Sequence, residues 1–292
     1  MLESLHPNYI ALISAFFTAT AQTLLGKSIG RLSPGVASLI ANIVITFIAT
    51  VFYLAGGGVD EWPLYAVTLF AISGIIANFA ARYLMYMAIQ LIGLSRTQVL
   101  FQFSPLWSSL VAITFLGEHL TLGVGGGTVL IIGGATLIMG ERNKGDSKTK
   151  FIYYLLPVFA GLVMAAAPSI RKHAFTMIPS ATFGLAIACF VASFLQAALL
   201  PITERKTEMK VALRPVLIAT AGGVMNAFAA MTFWISLRLG DVVEVVPIRR
   251  ISVLLVVLFS WLFMGKQDTI TWRVVAGAAI TLVGGLTIIW AG

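Results

Sequence analysis

Long apolar stretches, broken by short polar or glycine-rich punctuation, organise the whole chain. Runs close to the roughly 20 residues that a helix needs to span a bilayer lie at Tyr9–Ser28, Gly35–Ala55, Trp62–Ile92, Ser95–Leu116 and Thr121–Gly140. They recur at Phe151–Ile170, Ser180–Pro201, Leu213–Leu239, Asp241–Met264 and Thr271–Trp290. Gly56-Gly57-Gly58, Gly93, Gly117, Gly240 and Gly265 mark helix ends, and Glu141–Lys150 is a polar linker after the fifth run. The pattern predicts an all-α integral membrane protein of ten transmembrane helices.

The two sets of five are copies of one unit. Gly74 and Asn78 recur as Gly222 and Asn226 at a spacing of 148 residues, as do Tyr86 with Trp234, Ser104 with Ser252 and Gly117 with Gly265. Towards the N-terminus the spacing is 145, pairing Lys27 with Lys172 and Pro34 with Pro179; beyond Gly117 it is 151, pairing Gly126 with Gly277 and Gly134 with Gly285. Residues 1–140 and 151–292 are thus expected to form two five-helix repeats, joined by the linker at 141–150. Because five is odd, the second copy inserts upside down relative to the first, giving an inverted-topology repeat with its central site between the halves.

Composition agrees with a membrane setting: 59% of residues are apolar and only 10% charged, with a mean hydropathy of +0.97, too few polar groups to cover a water-facing surface. Cys189 is the single cysteine, so neither an internal disulfide nor thiolate metal chemistry is expected. His6, His119 and His173 have no metal-ligand spacing, and no cofactor is expected. The net charge of +8 comes from basic loops rather than an aromatic-interleaved stripe; membrane lipids are the implied partner, and nucleic acid is not. Ala19-Thr20-Ala21 resembles a signal-peptide cleavage site, but the preceding leader lacks Lys and Arg and the repeat pairs it with an internal segment. Gly26-Lys27-Ser28 resembles the end of a Walker A loop, yet Ala21 stands where its first glycine belongs.

Loop charge sets orientation. Thirteen Lys and Arg follow helices 1, 3, 5, 7 and 9, against three, Arg171, Lys172 and Arg238, on the other side. The positive-inside rule therefore places the linker in the cytoplasm and both termini outside.

The segment Phe115-Leu116-Gly117-Glu118-His119-Leu120-Thr121 precedes a Gly-rich helix, and Pro247-Ile248-Arg249-Arg250 leads through Ser260-Trp261-Leu262-Phe263-Met264-Gly265-Lys266 to Gly277 and Gly284-Gly285. Duplicated in register over nearly the whole chain, these motifs resemble the drug/metabolite transporter superfamily and its ten-helix EamA branch. The resemblance implies a solute exporter or exchanger in the cell membrane, with both termini cytoplasmic, opposite to the charge rule. Lys266 departs from the family's Gly-Glu pattern, so an acid is not matched at both ends.

Three arginines lie inside predicted helices: Arg82, Arg249 and Arg250. A charge at mid-bilayer costs about 2.5–3.5 kcal/mol on insertion scales and normally faces a protein interior or wet cavity. Arg250 matches Gln102 in the first copy while Arg249 matches Phe101, which favours Arg250 as the cavity-facing member; adjacent helical residues point about 100° apart. Pro247 removes one helical hydrogen bond. Asn78, Arg82 and Tyr86 recur every fourth residue on one face, mirrored by Asn226 and Trp234 with Ala230 in place of Arg82. These residues are the expected substrate-binding set, on helices 3, 4, 8 and 9. None of the eleven acids lies near a helix centre, and helix 1 offers only Ser14, Thr18, Thr20, Gln22 and Thr23. A proton-coupled multidrug cation exporter, the alternative transport reading, is disfavoured, and an intramembrane enzyme lacks an acid, base, nucleophile or metal cluster at depth. The positive interior points to alternating-access transport of a small anionic or zwitterionic solute by a monomer, or by a homodimer joined through small-residue stripes such as Gly277, Thr281 and Gly285.

Overall fold

The computed structural model describes residues 5–28, 32–58, 61–92, 97, 100–101, 104–139, 152–203, 213–264 and 272–291. The first half comprises α1 (Pro7–Ser28), α2 (Pro34–Ala55), α3 (Leu64–Ile92), α4 (Ser104–Leu116) and α5 (Leu122–Met139). The second comprises α6 (Ile152–Phe175), α7 (Ala181–Thr203), α8 (Leu213–Leu239), α9 (Val242–Arg249, resuming as Ser252–Met264) and α10 (Trp272–Ala291). Helix ends follow local chemistry. Ser33 accepts a hydrogen bond from Val36 N at 3.3 Å with Pro34 in the first turn of α2, and Gly117, at φ +68°, makes the tight turn after α4. Six helices, α1, α2, α3, α6, α7 and α8, are long and apolar enough to cross a bilayer outright. Phe47 and Phe194 point outward at 69% and 68% exposure, a surface that suits lipid rather than water. The chain is an integral, multi-pass membrane protein.

Inversion is written into the helix crossings. A Cβ on Gly127 would fall 2.6 Å from Gly284 O, and one on Gly134 would fall 2.5 Å from Gly277 O; as α5 ascends, α10 descends. These two helices occupy equivalent places in the halves, so their antiparallel contact requires one half to be upside down. The other contacts obey the same exchange: α1 packs on α8 as α6 packs on α3, α9 on α1 as α4 on α6, and α2 on α7. The stripe of Gly277 and Thr281 is therefore spent inside the chain, against Gly134, and is not available to join two copies.

Three elements differ from the sequence expectation. α6 continues past Ile170 to Phe175, carrying Arg171 inside the bundle because its partners are interior, and Lys172 with it. α9 is interrupted after Pro247: Arg250 N and Ile251 N bond back only three residues, to Pro247 O and Ile248 O. α3 carries a π-helical segment, Gly74–Ala81, directly before Arg82.

Candidate functional site

A cavity of about 150 Å³, a size that holds a benzene-sized molecule, opens between the halves, bordered by α1, α3, α4, α6, α8 and α9. Repeat-equivalent residues Ser104 and Ser252 both line it, which places it across the symmetry axis. Four arginines border it: Arg82, Arg171, Arg249 and Arg250. Among the described residues that line it, none is Asp or Glu.

Each guanidinium is held by neutral groups. Arg171 lies 4.4 Å over the Trp234 ring, Arg249 lies 4.2 Å over Phe233, and Arg250 lies 4.3 Å over Phe101. An aromatic face attracts the cation and shields one side of its plane. Arg171 Nε also donates to Ser73 Oγ at 3.3 Å, and Arg250 donates to Ser104 Oγ. Arg82 Nη1 donates to Asn42 Oδ1 at 2.7 Å.

That last contact comes from the π segment. Arg82 N bonds to Ala77 O and Phe79 O, passing over the Asn78 carbonyl that an α-helix would use. Asn42 on α2 donates to this carbonyl at 3.1 Å, which turns its own oxygen to Arg82. Because a π-helix winds more residues per turn than an α-helix, Asn78 leaves the face it would otherwise share with Arg82 and Tyr86. Its amide instead donates to Cys189 Sγ at 3.0 Å, on α7.

Of the sequence-expected residues, Arg82, Tyr86, Asn226, Arg249 and Arg250 come together around the cavity. Asn78 is turned away as described. Trp234 does not line the cavity either: it is 2% exposed, packed among Phe70 and Phe175 beneath Arg171. Gln102 lies outside the described residues, as do Lys266 and the linker 141–150. Arg249 and Arg250 both border the cavity, contrary to the choice of one over the other. They splay as the helical angle demands, Arg249 onto Phe233 of α8 and Arg250 onto Phe101.

Sequence reasoning missed Arg171 and Asn42. Arg171 was counted among loop charges, although Pro168 and Ser169 before it are ordinary within a membrane helix that continues. Asn42 was legible as the lone asparagine in an apolar span, a residue type that normally finds an interhelical partner.

One end of the bundle is latched. Lys172 Nζ meets Glu118 Oε1 at 2.8 Å and Asp241 Oδ1 at 2.5 Å. The Glu118 oxygens also accept from Val242 N and Val243 N, both at 3.1 Å, so this acid caps the positive end of α9. Asp241, at the N-cap position itself, makes no side-chain cap bond. Asn8 donates to Glu244 at 3.2 Å on the same side. Moving inward along α6 and α8, the Phe175–Trp234–Phe70 cluster lies between this latch and the arginines.

An inverted, duplicated helical bundle with a polar cavity at its centre is an architecture that many secondary transporters share. Residues 7–140 match the model of the EamA-like transporter family; the match falls on the first of the two repeats and covers less than half of the chain. A solved structure titled only "Crystal structure of protein" aligns over 97% of this chain and 99% of its own, with a TM-score of 0.80 at 15% identity; the likeness is one of fold. No curated protein matches this sequence.

Proposed function

We propose that this protein is a secondary or exchange transporter of a small organic anion, carried across the cell membrane by alternating access between two five-helix units, residues 1–140 and 151–292. One observation carries the reading: four guanidiniums border a single cavity whose described lining residues include no carboxylate. Guanidinium stays protonated in proteins, and electrostatic attraction is stronger in a low-dielectric interior than in water. The cavity therefore favours carboxylate, sulfonate or phosphate, whose oxygens suit the planar fork. A lipophilic cation meets four like charges and no acid there, which argues against multidrug cation efflux. An enzymatic reading would need a paired acid and base or an activated nucleophile at the cavity, and the described lining residues offer arginines, hydroxyls and amides instead.

The direct test is a thermal-shift screen of the purified protein against organic acids, sulfonates, phosphates, amino acids and organic cations. A ligand that binds the folded state raises its apparent stability. Anions should raise Tm and lose that effect as salt is added. Stabilisation by cations with none by anions would overturn the reading.

A further inference from the structure

Resting on the anion reading, a second set of observations narrows the ligand. α1 contributes Thr18 and Gln22 to the cavity wall, one turn apart and so on one face. Among the described residues, Thr18 Oγ1 and Gln22 Oε1 are buried without a hydrogen-bond partner. Arg171 Nη2 and Arg249 Nε share that condition on the opposite helices. Buried polar atoms are nearly always paired, so four unpaired ones around a single cavity mark where a ligand's polar groups belong.

The two sides ask for different chemistry. On α6 and α9 the open groups are charged donors, and four arginines with no lining acid leave a monoanion far from balancing the wall. On α1 they are a neutral hydroxyl and a neutral amide. A ligand hydroxyl both donates and accepts, and so satisfies the Thr18 hydroxyl and the Gln22 amide in either orientation of the amide. An ammonium group in that place would face the arginine field with no carboxylate to pair with. We infer that the transported solute is a hydroxylated dianion: two negative charges, as paired carboxylates or one phosphate monoester, held by the arginines, with a neutral hydroxyl held by Thr18 and Gln22. A zwitterionic amino acid is the wrong ligand for this cavity.

Binding to the full-length purified protein, measured by titration calorimetry, tests each element. In the carboxylate arm the probes are butyrate, succinate, malate and aspartate; in the phosphate arm they are propyl phosphate and glycerol 3-phosphate. Succinate should bind about tenfold tighter than butyrate, and malate about three- to tenfold tighter than succinate. Aspartate should bind more weakly than malate. Glycerol 3-phosphate should exceed propyl phosphate by a similar factor, and the tighter arm names the anionic group. Gln22→Leu should erase the hydroxyl's advantage while keeping the dianion preference, with the unliganded Tm confirming that the variant folds; the wild-type series decides the question even if it does not. Equal binding of butyrate and succinate, or of malate and succinate, would overturn the inference and leave the anion reading standing. Failure of every anion in both arms would instead remove the anion reading itself.

Discussion

Replacing Arg250 with Gln separates a guanidinium that serves a ligand from one that serves the fold. The residue donates to Ser104 and lies 4.3 Å over Phe101, with three other arginines on the same cavity. On the ligand side, a charge pair about 4 Å apart interacts by about 4 kcal/mol at an effective dielectric of about 20, and a hydrogen bond to a charged group contributes about 1.5–3 kcal/mol net. The remaining arginines keep part of the field, so the smaller figure applies, equivalent to about 10- to 100-fold in Kd. On the stability side, the variant forfeits a cation–π contact of about 0.5–2 kcal/mol but relieves the repulsion and desolvation of one buried cation among four. These effects oppose each other, and the unliganded Tm should stay within a few degrees of wild type. Calorimetry against a bound anion, run beside an unliganded melt, reads both. Wild-type affinity in a folded Arg250→Gln protein would refute the reasoning and move the binding role to Arg171 or Arg249.

Gly74→Ala should destabilise the protein by about 1–3 kcal/mol or more through overpacking, because its Cβ would fall 2.2 Å from Ala188 O; Gly126→Ala, with nothing within 4 Å, should be neutral or stabilising by up to about 1 kcal/mol, both read as melting temperature in detergent. Asn42→Asp should pair with Arg82, cancel one charge and lower anion affinity about tenfold, whereas Asn42→Ala should chiefly lower stability, by about 1–3 kcal/mol, through the unpaired Asn78 carbonyl. Val245 is fully buried in the first turn of α9, and Glu118→Gln should raise maleimide labelling of Val245→Cys about tenfold, since the acid that caps α9 and pairs with Lys172 is lost; Cys189 is buried and gives little background, and unchanged labelling would mean the latch does not hold that end shut. A reporter fused at Gly292 should be active only outside the cytoplasm under the charge rule, and activity only inside would refute that orientation.

Much of the architecture was legible because bilayer physics leaves few options: every backbone group must be bonded within a helix, so apolar run length and register alone give ten helices and their pairing. The site was legible only where residue type overrides geometry. Arg82, Arg249 and Arg250 announce themselves because a charge at that depth needs a reason. Arg171 did not, since a basic pair beside a predicted helix end reads as a loop until the partners Ser73 and Trp234, distant in sequence, are known. Asn78 leaves the cavity face for a different reason. Four-residue periodicity assumes an α-helix, and nothing in Gly74–Ala81 signals the π register that rotates Asn78 away.

The repeats also show how a duplicated fold acquires direction. Glu118 and Lys172, which latch one end, correspond in sequence to Lys266 and Lys27, so the repeat carries two bases where the latch has an acid and a base. At the latched end Glu118 grips the N-terminus of α9, the helix that carries Arg249 and Arg250. Release of that grip and movement of these arginines are therefore mechanically one event. An anion seated between α9 and the arginines of α3 and α6 draws the halves together across the cavity, and the latch must yield whatever part of that motion displaces α9 along its axis. Variants of Glu118 should accordingly alter the apparent affinity for anions without touching the cavity, and in the same direction for every anion, because they shift the conformational equilibrium rather than any contact with the ligand.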